Sequence, residues 1–522
     1  SARRILSLII ISLLSLTLFS YALLETDEHR RRHGRHSIPS RREYRLLRVS
    51  LLLTGLTPLR PIYRNSQQAT QSNYLDIETT HLELDWTVDW SQRIIRGKAT
   101  LHLRARSSSS SVDKVVLDTS YLAIKRCSLA ENDKDLAFSI PSKRQHPVLG
   151  SALTISLPAP LQKGETVAIS IEYATTDECT ALGWLNAEQT DSKRYPFMYS
   201  QCQAIHARSL LPCMDTPAIK ASYVARVKST LPVLLSAQRT VPPLEDGVPE
   251  IDGTEHEYVW EQKIRIPSYL IAIAGGELAF RPLGKRTGIW AEPGKVDACA
   301  YEFEQDAERM VSTAEQLCGP YRWGRYDALV LPASFPYGGM ENPNCTFLTP
   351  ALIVGDRSQV DVVAHEASHS WHVSFESSCF SLEEVGWYKR ILDCVSDPYG
   401  CLRHLPQGND VSCDGWSSFW LNEGWTTYTE RLVALKLHGP AARDFEYIQG
   451  YKAMTDDLKR FDKDGMRKAQ RLRESYVARE DLLFLLPPLR SFLTVGFICA
   501  DIPYEFGEDP DEFYSSVACE HP

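Results

Sequence analysis

The sequence predicts a multidomain α and β protein: an antiparallel β domain over residues 74–281, then an α/β domain over 282–522. Three observations predict it. Between residues 81 and 171 apolar side chains recur at every second position with no helical period between them. After Pro282 the period becomes helical, and within that half lies His365-Glu366-Ala367-Ser368-His369. The length of 522 residues, 43% apolar and 24% charged, suits a folded chain with several cores.

Residues 1–73 stand apart as a basic and apolar extension. Ile5 to Leu24 is a 20-residue run without charge, behind Arg3 and Arg4 and ahead of Arg30-Arg31-Arg32. Such a run is long enough to span a bilayer, so it reads as a signal anchor or signal peptide. The Arg- and Ser-rich segment to Arg64 also has the composition of a transit peptide, and a mispredicted exon is the third reading. Residues 1–64 hold 12 Arg, no Lys and 4 acidic residues, which leaves −17 on the rest of a chain of net charge −9. An acidic body excludes nucleic acid as the expected substrate. Thirteen Cys without regular spacing make no disulfide framework, and reduced thiols in the cytoplasm are expected. Membrane anchoring or organelle targeting through residues 1–64 is the alternative.

From Tyr74 the strands follow in order. Leu82, Leu84, Trp86 and Val88 share one face of a strand from His81 to Trp90. Ala99, Leu101, Leu103 and Ala105 repeat the pattern after a turn expected at Arg96-Gly97-Lys98. Leu153, Ile155, Leu157 and Val167, Ile169, Ile171 continue it, and the Ser107–Ser111 tract is a flexible connection. Past Pro282, Glu302 to Cys318 is predicted as one helix, and Asp356 or Ser358 as the cap of the next.

That next helix carries the chemistry. His365 and His369 lie four residues apart, so both imidazoles leave one face and can bind one ion, with zinc the natural fit. Glu366 follows the first histidine and points to one side, where it can act as general base toward an attacking water without taking a coordination position. The pattern alone arises by chance, so a hydrolytic site needs a third ligand. Glu423 is the expected one, near the start of a second, largely buried helix marked by Trp420, Leu421, Tyr428, Leu432 and Leu435 and stopped by Gly439-Pro440. One Zn²⁺ per chain is expected.

Four stretches together carry a family likeness. Pro336-Tyr337-Gly338-Gly339-Met340-Glu341-Asn342-Pro343, the His-Glu-x-x-His-Ser-Trp helix, Phe419-Trp420-Leu421-Asn422-Glu423-Gly424, and Gln201-Cys202-Gln203 with Leu211-Pro212-Cys213-Met214-Asp215-Thr216-Pro217 stand in one order. The set resembles the zinc aminopeptidases of peptidase family M1, and within them the leukotriene-A4 hydrolase branch. The resemblance implies an N-terminal β-saddle, a thermolysin-like α/β zinc catalytic domain, and a C-terminal helical domain that this sequence lacks. It implies peptide substrates with a free N-terminus, and a lipid epoxide as a second substrate. Glu341 is carried over as the group facing the substrate ammonium, Gly338 and Gly339 as glycines that let its backbone approach, and Gln201, Cys202, Gln203, Pro336, Tyr337 and Met340 as further substrate contacts. Glu430, one helical repeat after Glu423, is carried over as a residue that orients a metal ligand. Asp511 matches the position that delivers water in epoxide opening.

The sequence also departs from that pattern. Fifty-three residues separate His369 from Glu423, and joining His372 to Gly408 restores the family's text and spacing. Residues 373–407 are therefore expected to be an insertion, read as a translated intron because Val373-Ser374 and Gln407 can be encoded by its consensus ends; a surface loop is the alternative. A second break is expected between Gly465 and Gly507. Cys519 stands where the family has a tyrosine that stabilises the oxyanion. Taken literally, the chain is expected to hold zinc weakly and turn over little or nothing, and the rival function is an inactive zinc- or peptide-binding remnant, possible as a membrane-tethered form through Ile5–Leu24.

Overall fold

The computed structural model describes residues 69–463 except 107–110, 142, 372–408, 410–414 and 417–418. All of them fall in one compact unit, Ser66–Pro522. Ile5–Leu24, most of Ser107–Ser111, the 373–407 segment, the break after Gly465, Asp511 and Cys519 lie outside the described residues. Among the described residues no helix is long and apolar enough to cross a membrane, and the seven cysteines are free thiols.

The alternating pattern folds into a seven-stranded sheet. Its order is Gln238–Val241, His256–Pro267, Lys220–Ser229, Ile77–Asp89, Ile94–Ala105, Thr166–Thr175, Leu122–Leu129. Leu82, Leu84, Trp86 and Val88 are buried along one strand, and Ala99, Leu101, Leu103 and Ala105 along the next. Alternation thus placed the inward face correctly. Two expectations need correction. The turn lies at residues 90–93, with Arg93 at φ 55°, and Gly97 sits inside a strand because Trp86 and Tyr173 fill the space a side chain would need. The sheet is mixed, since Ile77–Asp89 pairs parallel with Lys220–Ser229; alternation fixes faces but carries no strand direction.

A four-stranded sheet, Val233–Leu235, Ile273–Gly275, Phe197–Ser200 and Leu182–Leu185, ends at Ser200 and so delivers Gln201. The single helical turn α1, Ala207–Leu210, closes that segment. It is fixed from within. The buried Arg208 guanidinium donates to the Asp215 carboxylate at 2.8 Å, and Asp118 accepts the Asp215 N–H at 3.0 Å. A buried charge is retained only when paired in this way.

The second half is a five-stranded sheet ordered Ala279–Pro282, Thr287–Ala291, Tyr326–Val330, Thr346–Leu348, Gly339–Met340, whose three middle strands are parallel. Helices cover it. The predicted helix over 302–318 is instead two, α2 Val296–Phe303 and α3 Ala307–Cys318. Buried Glu302 accepts the N–H groups of Gly355 and Arg357, each at 2.8 Å, and Asp306 pairs with Arg357. The break serves the loop that leads into the histidine helix.

That helix is α4, Val362–Ser368. Neither Asp356 nor Ser358 caps it: Asp356 accepts the Ser358 N–H in a preceding turn, and Asp361 occupies the cap position with no side-chain bond. α5, Trp420–His438, ends at Gly439 with φ 87°, a conformation glycine adopts without strain, and α6, Pro440–Lys463, starts at the next residue. α4 packs between α3, α5 and the edge strand Gly339–Met340.

Candidate metal centre and active site

α4 and α5 bring three donor atoms to one point. His365 Nε2 and His369 Nε2 are 3.3 Å apart, and Glu423 Oε2 lies 3.7 Å and 3.8 Å from them. Two nitrogens bound tetrahedrally to zinc at about 2.0–2.1 Å stand about 3.3 Å apart. The triangle therefore has the dimensions of a zinc site. The far side of each ring is also held. His365 Nδ1 lies 2.9 Å from Glu430 Oε2, and His369 Nδ1 lies 3.1 Å from Thr426 Oγ1. A carboxylate only accepts, so the proton of the neutral His365 ring sits on Nδ1 and its Nε2 presents a lone pair to the shared point.

The surrounding carboxylates also favour positive charge at this point. Burial disfavours the charged form of His365, but the carboxylates of Glu430, Glu423 and Glu366 outweigh it and push its pKa up to about 10. A field that stabilises a proton this strongly also stabilises a divalent cation. Two imidazoles and one carboxylate are the protein donor set of a catalytic zinc.

Glu366 and Glu341 adjoin this centre, each with a carboxylate oxygen within 4.8 Å of a His369 ring nitrogen and of the other. Both are buried. Gly339 is explained by one of them, since a Cβ there would lie 2.1 Å from Glu366 Oε1. Its missing side chain makes room for the carboxylate. A Cβ on Gly338 would meet nothing within 4 Å. Glu341 directly follows the edge strand Gly339–Met340.

The remaining expected contacts divide by side. Gln201 Nε2 donates to Met340 Sδ at 3.2 Å, which ties the Gln201–Gln203 loop to the edge strand. Gln203 is half-exposed; Cys202 is buried, and burial pushes its thiol well above its ordinary pKa. Pro336 is exposed, and half-buried Tyr337 sets its ring edge-to-face on Phe335 at 5.9 Å.

Sequence reasoning missed three supports. Thr426 holds His369, and Trp323 Nε1 donates to the Ser370 carbonyl at 2.7 Å at the end of α4. Asn409, buried, donates its N–H to the His369 carbonyl at 2.6 Å and its Nδ2 to the Glu341 carbonyl at 2.8 Å. Thr426 was findable, because positions 423, 426 and 430 share one face of a helix. Nothing in the sequence marks Trp323, and Asn409 is marked only by standing where the family's text resumes at Gly408.

The family description "Peptidase M1 N-terminal domain" matches residues 78–270, and "Peptidase family M1 domain" matches 301–375 and 401–482. The chain belongs to peptidase family M1. Its M1 catalytic match is interrupted at 376–400, inside the segment 373–407, and runs on past Gly465. Among M1 relatives, "Leucine aminopeptidase 2" of Yarrowia lipolytica is 37% identical over 453 residues, 87% of this chain and 58% of that protein. A "Leukotriene A-4 hydrolase homolog" of Botryotinia fuckeliana is 39% identical over 396 residues, 76% of this chain and 55% of its own length. The structure of yeast LTA4 hydrolase in complex with bestatin is 35% identical and superposes with a TM-score of 0.63, over 81% of this chain and 56% of that one. The chain thus spans somewhat over half the length of the M1 relatives it matches. Its β domain and catalytic domain are those of the M1 fold.

Proposed function

We propose that the chain is a zinc-dependent aminopeptidase that removes residues from the free amino terminus of peptides. The observation that carries this is the convergence of His365 Nε2, His369 Nε2 and Glu423 Oε2 within 3.8 Å of one another, beside two buried carboxylates. Zinc held there by His365, His369 and Glu423 would polarise the scissile carbonyl and make water a stronger nucleophile. Glu366 takes the proton from the attacking water and passes it to the leaving amine. Glu341 binds the substrate's ammonium, which restricts cleavage to the first peptide bond. Gln201, Gln203 and Tyr337 contact the substrate, and Glu430 and Thr426 keep the two imidazoles oriented.

The discriminating substrate pair is a leucyl anilide and its N-acetyl form. An ion pair to a buried carboxylate contributes about 1.5–3 kcal/mol, so the free amine is expected to react roughly 10- to 100-fold faster. Equal rates would remove Glu341 from its assigned role. A second activity, hydrolysis of a lipid epoxide in the same pocket, is supported by relatives named for leukotriene A4 hydrolysis. Chiral analysis of diols formed from leukotriene A4 tests it. A non-catalytic remnant would bind the anilide and release nothing.

A further inference from the structure

Asn409 is the first described residue after the 372–408 stretch, and it lands between the two halves of the site. Its N–H donates to the carbonyl of the ligand His369, and its side-chain Nδ2 donates to the carbonyl of Glu341. Its own carbonyl accepts from Lys220 Nζ at 3.3 Å, on a strand of the seven-stranded sheet. The residue is fully buried. Its backbone therefore tracks the metal helix, and its side chain holds the strand end that carries Glu341. The amide orientation is set by this contact, since a carbonyl oxygen cannot face another carbonyl oxygen.

We propose that Asn409 is a positioning residue for recognition of the substrate ammonium: it fixes Glu341 relative to the metal ligands, and so sets the preference for a free amino terminus. This rests on the role given to Glu341 above. Glu341 directly follows the two-residue edge strand Gly339–Met340, which pairs with Thr346–Leu348 on one side. A few tenths of an ångström in its backbone move its carboxylate with respect to the zinc triangle. The two segments that Asn409 joins, at Glu341 and His369, lie 28 residues apart in sequence.

The test uses the zinc-loaded full chain and two probes, leucine hydroxamate and N-acetyl-leucine hydroxamate, measured by calorimetry with zinc content determined on each sample. The hydroxamate engages the metal in both, while only the first offers an ammonium. Asn409→Ala keeps the N–H to His369 and removes the bond to Glu341. It is expected to retain one zinc and the same Kd for the acetylated probe, while the ratio of the two affinities falls about tenfold. Asn409→Asp, which sets a carboxylate against the Glu341 carbonyl, is expected to lower the ratio at least as far. An unchanged ratio in both variants overturns the inference. Loss of zinc, or equal weakening of both probes, overturns it as well, because the residue would then be merely structural. If the unaltered chain itself shows no preference for the free amine, the role of Glu341 fails first and the inference with it.

Discussion

Replacing Glu366 with glutamine is expected to lower kcat on an aminoacyl anilide by about 10²- to 10⁴-fold, the range supplied by a positioned general base. KM and zinc content are expected to hold. The side chain is buried and fills the space that Gly339 leaves open, so an amide of the same shape fits without moving α4. It cannot take a proton at any working pH. Glu366 stands next to His365 in sequence but is not one of the three donors that meet within 3.8 Å, so removing its charge leaves the metal's ligands in place. Steady-state kinetics beside metal analysis decide the outcome. Unchanged turnover in the zinc-loaded variant would exclude Glu366 as the base.

His369→Ala is expected to abolish stoichiometric zinc binding. The imidazole is fully buried and held from behind by Thr426, so no exposed side chain can swing in to replace it. Glu430→Gln makes the informative contrast, because Glu430 touches His365 Nδ1 and not the metal position. Loss of such an orienting partner typically weakens metal affinity about 10- to 100-fold. Competition against a chromophoric chelator is expected to rank the three proteins as unaltered chain, Glu430→Gln, then His369→Ala. If Glu430→Gln were as damaging as His369→Ala, the assignment of ligand and orienting residue would be wrong.

Much of this was legible in the sequence because the relevant physics is local. The i, i+4 spacing of His365 and His369 fixes a shared helical face, and α5 from Trp420 to His438 announces itself by its apolar pattern and its Gly439 stop. Period-two alternation placed Leu82, Leu84, Trp86 and Val88 inside. What escaped depends on contacts between distant segments. The parallel pairing of Ile77–Asp89 with Lys220–Ser229 leaves no trace in either strand alone. The division of 302–318 into α2 and α3 follows from Glu302 turning inward to hold the 355–357 loop, which propensity cannot register. The expectation of weak zinc binding rests on the 35 residues expected as an insertion, with Cys379, Cys394 and Cys401, and on Cys519, all of which lie outside the described residues.

The central claim is that zinc sits on His365, His369 and Glu423, and the most direct measurement is X-ray absorption at the zinc edge of the full chain loaded with one equivalent. Two imidazole nitrogens and oxygen donors, all at about 2.0–2.2 Å, are predicted. A sulfur shell at about 2.3 Å would contradict the account, and would mean that thiolates such as Cys379, Cys394 and Cys401 take the ion from the histidine helix.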